Sequence, residues 1–411
     1  MKASAAAVPS TIFDRSVELL QELCSISSAS GDTEGLYRMT EILGRELIPL
    51  GLLPEVHAES GLNGSAQPVF TARGTGSGDT CTLLLGHLDT VLPAVAPRLG
   101  DSRLFGTGAL DMKGGFAAFV GALQHLREKG EVPPDDLVLV AVPDEEVGGP
   151  VSIEAVGRWG ESAHTVLVLE PGAPSDGGET LVTGRRGLTV WRLDARGRAA
   201  HSGVAYWDGR SALAAAAKWA AEVQQLSEKG DGPVVNVGRI VGGDSEFVSD
   251  VGEEHRFIGT SERLNIVADR CLVEGELRFL DPDDRNRILA EMADMASKIA
   301  GSWDVELTFD PVQHIPPMAE SSSARRLAGH LVSAAAQAGW RLDLEANRGG
   351  VSFPNLLPDP AAVCVIDGLG PVGGGMHTRD EHLDLESLRR RIGLIAEALT
   401  YVRDHGPTVQ R

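Results

Sequence analysis

The sequence predicts an α/β fold, a mostly parallel sheet with flanking helices, into which an α+β domain of ferredoxin-like order is inserted. Three observations predict it. Short β-branched apolar runs alternate with helical periodicity over residues 1–186, the pattern of parallel strands joined by helical crossovers. Beyond that point the order becomes strand, helix, strand, strand, helix, strand, a split βαβ arrangement. The first pattern then resumes, so the middle segment is an insertion, and a length of 411 residues leaves room for two cores.

In order along the chain, residues 13–28 set Phe13, Val17, Leu20 and Leu23 on one helical face. Gly31 with Asp32 closes that element and opens a second amphipathic helix. The runs 82–85, 137–142 and 165–169 are too short and too β-branched for helices, and they read as strands with helices at 115–126 and 153–159 between them. The inserted part reads as strand 187–194, helix 210–226, strands 234–241 and 267–279, helix 284–299 and strand 305–309. A helix at 322–338, a strand at 361–366 and a closing helix at 388–403 follow. The expected domains are 1–186 and 311–411, which together form one metal-binding body, and 187–310, the insertion.

A formal net charge of -21 argues against nucleic acid or an anionic membrane surface as partner, since each calls for a basic footprint. The opening MKASAAAVPS lacks the apolar core of a signal peptide, and no stretch approaches the roughly 18 apolar residues of a membrane helix, so a cytoplasmic location is expected. Cys24, Cys81, Cys271 and Cys364 are scattered without CxxC pairs and read as reduced, buried hydrophobes.

Acids and histidines follow the apolar strands. His87 and Asp89 come after TLLLG, Asp144, Glu145 and Glu146 after LVLVAVP, Glu170 ends TVLVLE, and His377 follows the glycine-rich run after AVCVIDG. In a parallel sheet those positions share the carboxyl edge, where ligands of such folds bind. Asp111 stands in GTGALDMKGG at the start of a helix, where a cap is the plain reading. Each of these residues has an ordinary explanation taken alone: a core histidine, a turn, a solvated acid pair. Two imidazoles and three carboxylates together are what a pair of divalent cations needs if one carboxylate bridges them. Neutral histidine with carboxylate suits zinc, and cobalt or manganese are admitted by the same donors.

The strings HLDTVLP, GTGALDMKGG, PDEEVGG, VLEPG, GRAAHSG and DGLGPVGGGMHTRDEHL closely resemble the M20 metallopeptidases, in particular the glutamate carboxypeptidases and the acetylornithine and succinyl-diaminopimelate deacylases. The similarity runs from about Phe13 to the end. It implies a zinc-peptidase type of sheet, with the insertion serving as lid and dimerisation domain. It further implies that Asp111 bridges two metals, with His87 and Glu170 completing one site and Glu146 and His377 the other. Asp89 matches the acid that orients the ligand histidine, and Glu145 the general base. His201 matches a histidine that, in dimeric members, reaches the partner's active site to stabilise the oxyanion. Asn265 and Arg278 match the pair that binds near the substrate carboxylate, a task suited to the planar fork of arginine.

The reaction implied is hydrolysis of an amide bond next to a free carboxylate, in a small molecule or short peptide, by a homodimer. Two features depart from the family pattern. Phe353 stands in Gly349–Asn355 where an aspartate is usual, and Trp207 with Asp208 replaces a commoner Pro-Glu pair. The first motivates an alternative in which an acyl group is formed or transferred, and a non-catalytic binding relative is the remaining alternative.

Overall fold

The computed structural model describes residues 7–61, 64–76, 79–254 and 265–406. The chain divides into two compact units, one made of Met1–Gly184, Ala319–Arg348 and Ser352–Arg411, the other of Arg185–Met318 with Gly349–Val351.

The first unit is built on a six-stranded sheet in the order Leu53–Ser60, Ala66–Arg73, Leu137–Val142, Cys81–His87, Ala163–Val168, Cys364–Ile366. The last four strands are mutually parallel, and the sequences CTLLLGH and LVLVAV are buried at every position, as strands covered on both faces must be. The first two strands were not foreseen. They form an antiparallel hairpin, registered from Leu53 opposite Arg73 to Ser60 opposite Ala66, and Leu53–Ser60 is largely exposed, so its sequence LPEVHAES lacks an apolar face.

Helix Lys113–Glu128, buried almost all round, packs against both Ser10–Ser25 and Leu385–His405. Its paired glycines are a packing requirement more than a turn device. A Cβ on Gly115 would lie 2.3 Å from the Leu169 carbonyl oxygen, and one on Gly114 would lie 2.5 Å from that of Ala109. The first helix runs Ser10–Ser25, three residues ahead of the 13–28 expected. Pro9 fits at its start, where its missing N–H is no loss, and Ile26 turns extended. Both the Leu23 and the Ile26 carbonyls then accept from the buried Lys113 ammonium, at 3.1 and 2.8 Å. The strand expected at 361–366 is confined to Cys364–Ile366.

The second unit is an antiparallel sheet in the order Val234–Gly243, Arg270–Phe279, Gly187–Arg196, Glu306–Ile315, which is strand order 2-3-1-4 of a ferredoxin-like βαββαβ chain. Helices Ala212–Val223 and Pro282–Trp303 supply its core with Trp219, Ile288, Met292 and Ile299, which join Trp191, Leu193 and Phe279 from the strands. Trp191 and Trp219 meet edge to face with centroids 5.5 Å apart, and the Trp219 indole N–H donates to the Met292 carbonyl at 3.0 Å.

Candidate metal centre

Three parallel strands end at one place. His87 is the last residue of Cys81–His87, Glu145 and Glu146 lie in the short helical turn just after Leu137–Val142, and Glu170 follows Ala163–Val168. Asp111 precedes helix Lys113–Glu128. His377 sits with φ at +61° between the short strands Gly373–Gly374 and His382–Asp384.

The structure brings all five expected ligands together. Asp111 presents one oxygen to each histidine: Oδ1 is 3.1 Å from His87 Nε2, and Oδ2 is 3.3 Å from His377 Nε2. His377 Nε2 is also 3.3 Å from Glu146 Oε2, and His87 Nε2 is 3.9 Å from Glu170 Oε1. Atoms bound at about 2.0–2.2 Å to one tetrahedral zinc lie about 3.3–3.6 Å from each other, so these separations suit a pair of shared cations. Glu145 occupies the same space, since His87, Glu145 and Glu170 offer donor atoms within 4.8 Å of one another, as do His87, Asp111 and Glu146. Distance alone therefore leaves open whether Glu145 binds a cation or handles protons beside it.

The electrostatics also call for cations. Burial pushes the Glu146 carboxyl up to about 7. It raises Glu170 well above the usual carboxylate range, and the nearby Asp111 charge adds to the rise. The hydrogen bond to Asp111 lifts His377 to about 9. Burial disfavours a charged His87, yet its bonds to Asp111 and Asp89 hold it well above an ordinary histidine. Asp111 goes the other way: burial opposes its ionisation, but the two imidazoles keep it below its usual range. The cluster thus holds protons to compensate crowded carboxylates, a role that divalent cations take over when bound.

Asp89, fully buried, does more than was expected of it. Its carboxylate lies 3.4 Å from His87 Nδ1, while the ring's closer contact, 2.9 Å, is to the Asp89 backbone carbonyl. The same carboxylate accepts from the Glu145 and Glu146 N–H groups, each at 3.2 Å, and from the Ser30 hydroxyl at 2.7 Å. It therefore fixes the imidazole and the acid pair in one gesture. Asp144, first in the run of acids, takes no part. Its carboxylate accepts from the Val151 and Ser152 N–H groups, at 3.3 and 2.8 Å, in the first turn of helix Pro150–Gly160.

Glu381 escaped the sequence reading. Buried to 4% exposure, it accepts from the Leu110 and Asp111 N–H groups at Oε1, both at 2.9 Å, and from the Gly108 N–H at Oε2, 3.1 Å. Its only signal was its place four positions after His377, because backbone donors carry no residue-type code. Phe353, which stands where an aspartate is usual, is fully buried with its ring 6.0 Å from that of His87. Its neighbour Ser352 donates to Glu170 at 3.2 Å.

The remaining expected residues belong to the second unit. His201 is exposed, its Nδ1 accepting from the Gly203 N–H at 3.1 Å. Asn265, also exposed, accepts at its backbone carbonyl from the Ser202 N–H at 2.8 Å, and His201 pairs with Ile266, so His201 and Asn265 lie side by side. Arg278 stands apart from them, 2.9 Å from the Glu276 carboxylate and 3.4 Å from the Gly349 carbonyl. Trp207 is 87% exposed in the turn Tyr206–Asp208, so the departure at this point puts an indole on the surface.

The model of peptidase family M20/M25/M40 matches residues 83–401. Among curated proteins the chain is 25% identical to carboxypeptidase G2 of Pseudomonas sp. (strain RS-16), covering 93% of this chain and 88% of that protein. It is 26% identical to a succinyl-diaminopimelate desuccinylase of Rhodospirillum centenum, covering 70% of each. Among solved structures, the fold is that of aminopeptidase PepT from Bacillus cereus, with TM-score 0.75 at 23% identity over 95% of this chain and 98% of that one. It is likewise that of a dinuclear metal binding peptidase of the M20 family from Bacillus subtilis, with TM-score 0.68 at 14% identity over 96% and 99%. The chain belongs to peptidase family M20/M25/M40 and is a hydrolase of that family.

Proposed function

We propose that this M20-family hydrolase cleaves an amide bond adjacent to a free carboxylate, in an N-acyl amino acid or short peptide, with two divalent cations held by His87, Asp111, Glu146, Glu170 and His377. One observation carries the reading: Asp111 turns a different oxygen to each of two histidines, at 3.1 and 3.3 Å. That is the stance of a carboxylate shared between two ions. Zinc is the first choice for this donor set, with cobalt or manganese next. When bound, the cations supply a polarised carbonyl and a water acidic enough to be deprotonated near neutral pH.

The side chains do the rest. Asp89 orients His87 and holds the Glu145–Glu146 backbone. Glu145, placed beside the ligands without being needed as one, takes the water's proton on its carboxylate and delivers it to the departing nitrogen. Asn265 and Arg278 are assigned to the substrate carboxylate, and His201 to the oxyanion of a partner protomer. The exposed Val204 and Trp207 next to His201, 86% and 87% exposed, fit a surface that a second copy covers. The four cysteines, free and buried, fit the reducing cytoplasm. The names of the relatives, a carboxypeptidase and a desuccinylase, support a carboxylate-bearing substrate.

The test pairs Glu145→Gln with cation analysis and a screen of acyl amino acids and dipeptides. The variant should keep two cations and lose about 10²- to 10⁴-fold in kcat; undiminished turnover would remove Glu145 as the base. A dimer should appear in sedimentation at assay concentration, and a monomer with full activity would remove the role given to His201. The buried Phe353 ring beside His87 favours one second reading, acyl transfer in a drier site. Exclusive hydrolysis in the presence of an amine acceptor would discard it.

A further inference from the structure

The two halves of the metal centre are held in place by different means. His87 ends a fully buried strand, and Glu170 lies two residues beyond the end of another and accepts from Ser352. Both are positioned by the central sheet. Asp111 and His377 are not. They lie on two loops 266 positions apart in the chain (377 − 111), and the Glu146–His377–Asp111 cluster forms only if those loops keep a fixed distance.

Glu381 is the fastener. Its carboxylate takes the N–H groups of Gly108, Leu110 and Asp111, and its backbone carbonyl takes that of Gly106 at 3.0 Å. One residue on the His377 segment thus satisfies four backbone donors of the loop that presents Asp111. Immediately beyond it, His382–Asp384 pairs antiparallel with Arg103–Phe105, which continues the attachment into a small sheet. The loop holding Asp111 has glycines at 106 and 108, the latter with φ at +76°, and so carries little rigidity of its own.

The geometry points to Glu381 as the positioning residue that sets the Asp111–His377 separation and thereby the affinity of the second cation, the one nearest Glu146 and His377, more than that of the first, which shares Asp111 but keeps His87 and Glu170 on the sheet. This inference rests on the two-cation reading above. Glutamine at 381 keeps the size and can still accept at one atom, but its amide N–H₂ would face the Gly108 N–H, donor against donor.

Cation binding is measured without substrate, by cobalt(II) and zinc(II) titration against a competing chelator, on wild type, Glu381→Gln and Glu381→Asp, with His377→Ala as the scale for losing the second site outright. The wild type should take up two equivalents. Glu381→Gln should bind the first within about threefold of wild type and the second about 10- to 100-fold more weakly, the range typical of outer-sphere partners. Its kcat should fall at sub-saturating cation, with KM little changed, and be restored by excess cation. Glu381→Asp keeps the charge with a shorter reach and should fall between; it also supplies the measurement if the glutamine variant does not fold. Two equivalents bound as tightly as in wild type by either folded variant, with only a lower melting temperature, would overturn the inference and leave Glu381 a structural residue. A wild type that fails to bind two cations would instead overturn the two-cation reading itself.

Discussion

The same three parallel strands carry acids and histidines at both ends, and the two ends are chemically opposite. At the amino end, Asp136 just before Leu137–Val142 accepts from Thr82 at 3.0 Å and lies 2.7 Å from His164 Nε2. One carboxylate meets one hydroxyl and one imidazole, and nothing is left over. At the carboxyl end Asp111, Glu146 and Glu170 crowd against His87 and His377, with Asp89 and Glu145 beside them. There the anions outnumber their partners. A buried polar cluster that balances itself serves structure, whereas one with surplus charge of one sign is a site for something else.

The largest expected contrast comes from removing one acid at each end. Asp111→Asn should drop turnover to background, because the residue that faces both histidines loses its charge. Asp136→Asn should leave kcat within about twofold and cost about 1.5–3 kcal/mol of stability, the usual range for a hydrogen bond to a charged group. Steady-state kinetics with urea unfolding on both variants reads the difference, and a large loss of activity from Asp136→Asn would erase the distinction between the ends.

Next in size is the response to pH in cation-free protein, where Glu146 at one end and Asp136 at the other respond with opposite sign. Glu146 is raised to about 7 by burial, so its contribution is fully present below the unfolded value of 4.5 and lost as pH climbs through about 7. Asp136 is lowered: burial works against its charge, but the bonds with His164 and Thr82 prevail. Its contribution is present above the unfolded value of 3.8 and lost as pH falls through its folded value. Urea midpoints of the chelated protein should therefore decline between about pH 5 and 8, and Glu146→Gln should lessen that decline, leaving the part that the raised Glu170 and His377 contribute. Asp136→Asn should leave it unchanged and alter only the acid limb. Added zinc should reverse the decline, since carboxylates bind cations deprotonated.

The sequence made the carboxyl end legible because its function depends on residue types at strand ends. His87, Asp89, Glu146 and Glu170 follow apolar runs that read as buried strands, and His377 follows the glycine-rich run after another. Asp136 and His164 flank the same runs at their other ends with an equally simple signal, and nothing in residue type alone says that one pair is neutralised and the other cluster is not. Contacts made by backbone were invisible. Glu381 grips N–H groups, and Asp89 holds the Glu145–Glu146 turn in the same way. The hairpin Leu53–Ser60 with Ala66–Arg73 was missed because its outer strand lies exposed at the sheet edge and shows no period-2 apolar face.

The smallest expected effect concerns the cover of the carboxyl end. Phe353 is fully buried against His87, in the turn Phe353–Leu356 that Ser352 and Asn355 cap reciprocally. An apolar ring there keeps water from the imidazole and adds no charge to a cluster that already has too many anions. Phe353→Leu leaves a partial cavity and should cost about 1–1.5 kcal/mol, with or without cations, since the loss is one of packing. Phe353→Asp should cost more in the chelated protein, because it buries a further carboxylate, and part of that extra loss should return when zinc is added. Equal penalties for the two variants, unmoved by zinc, would mean that the ring only fills space and that the surplus charge at this end does not extend to position 353.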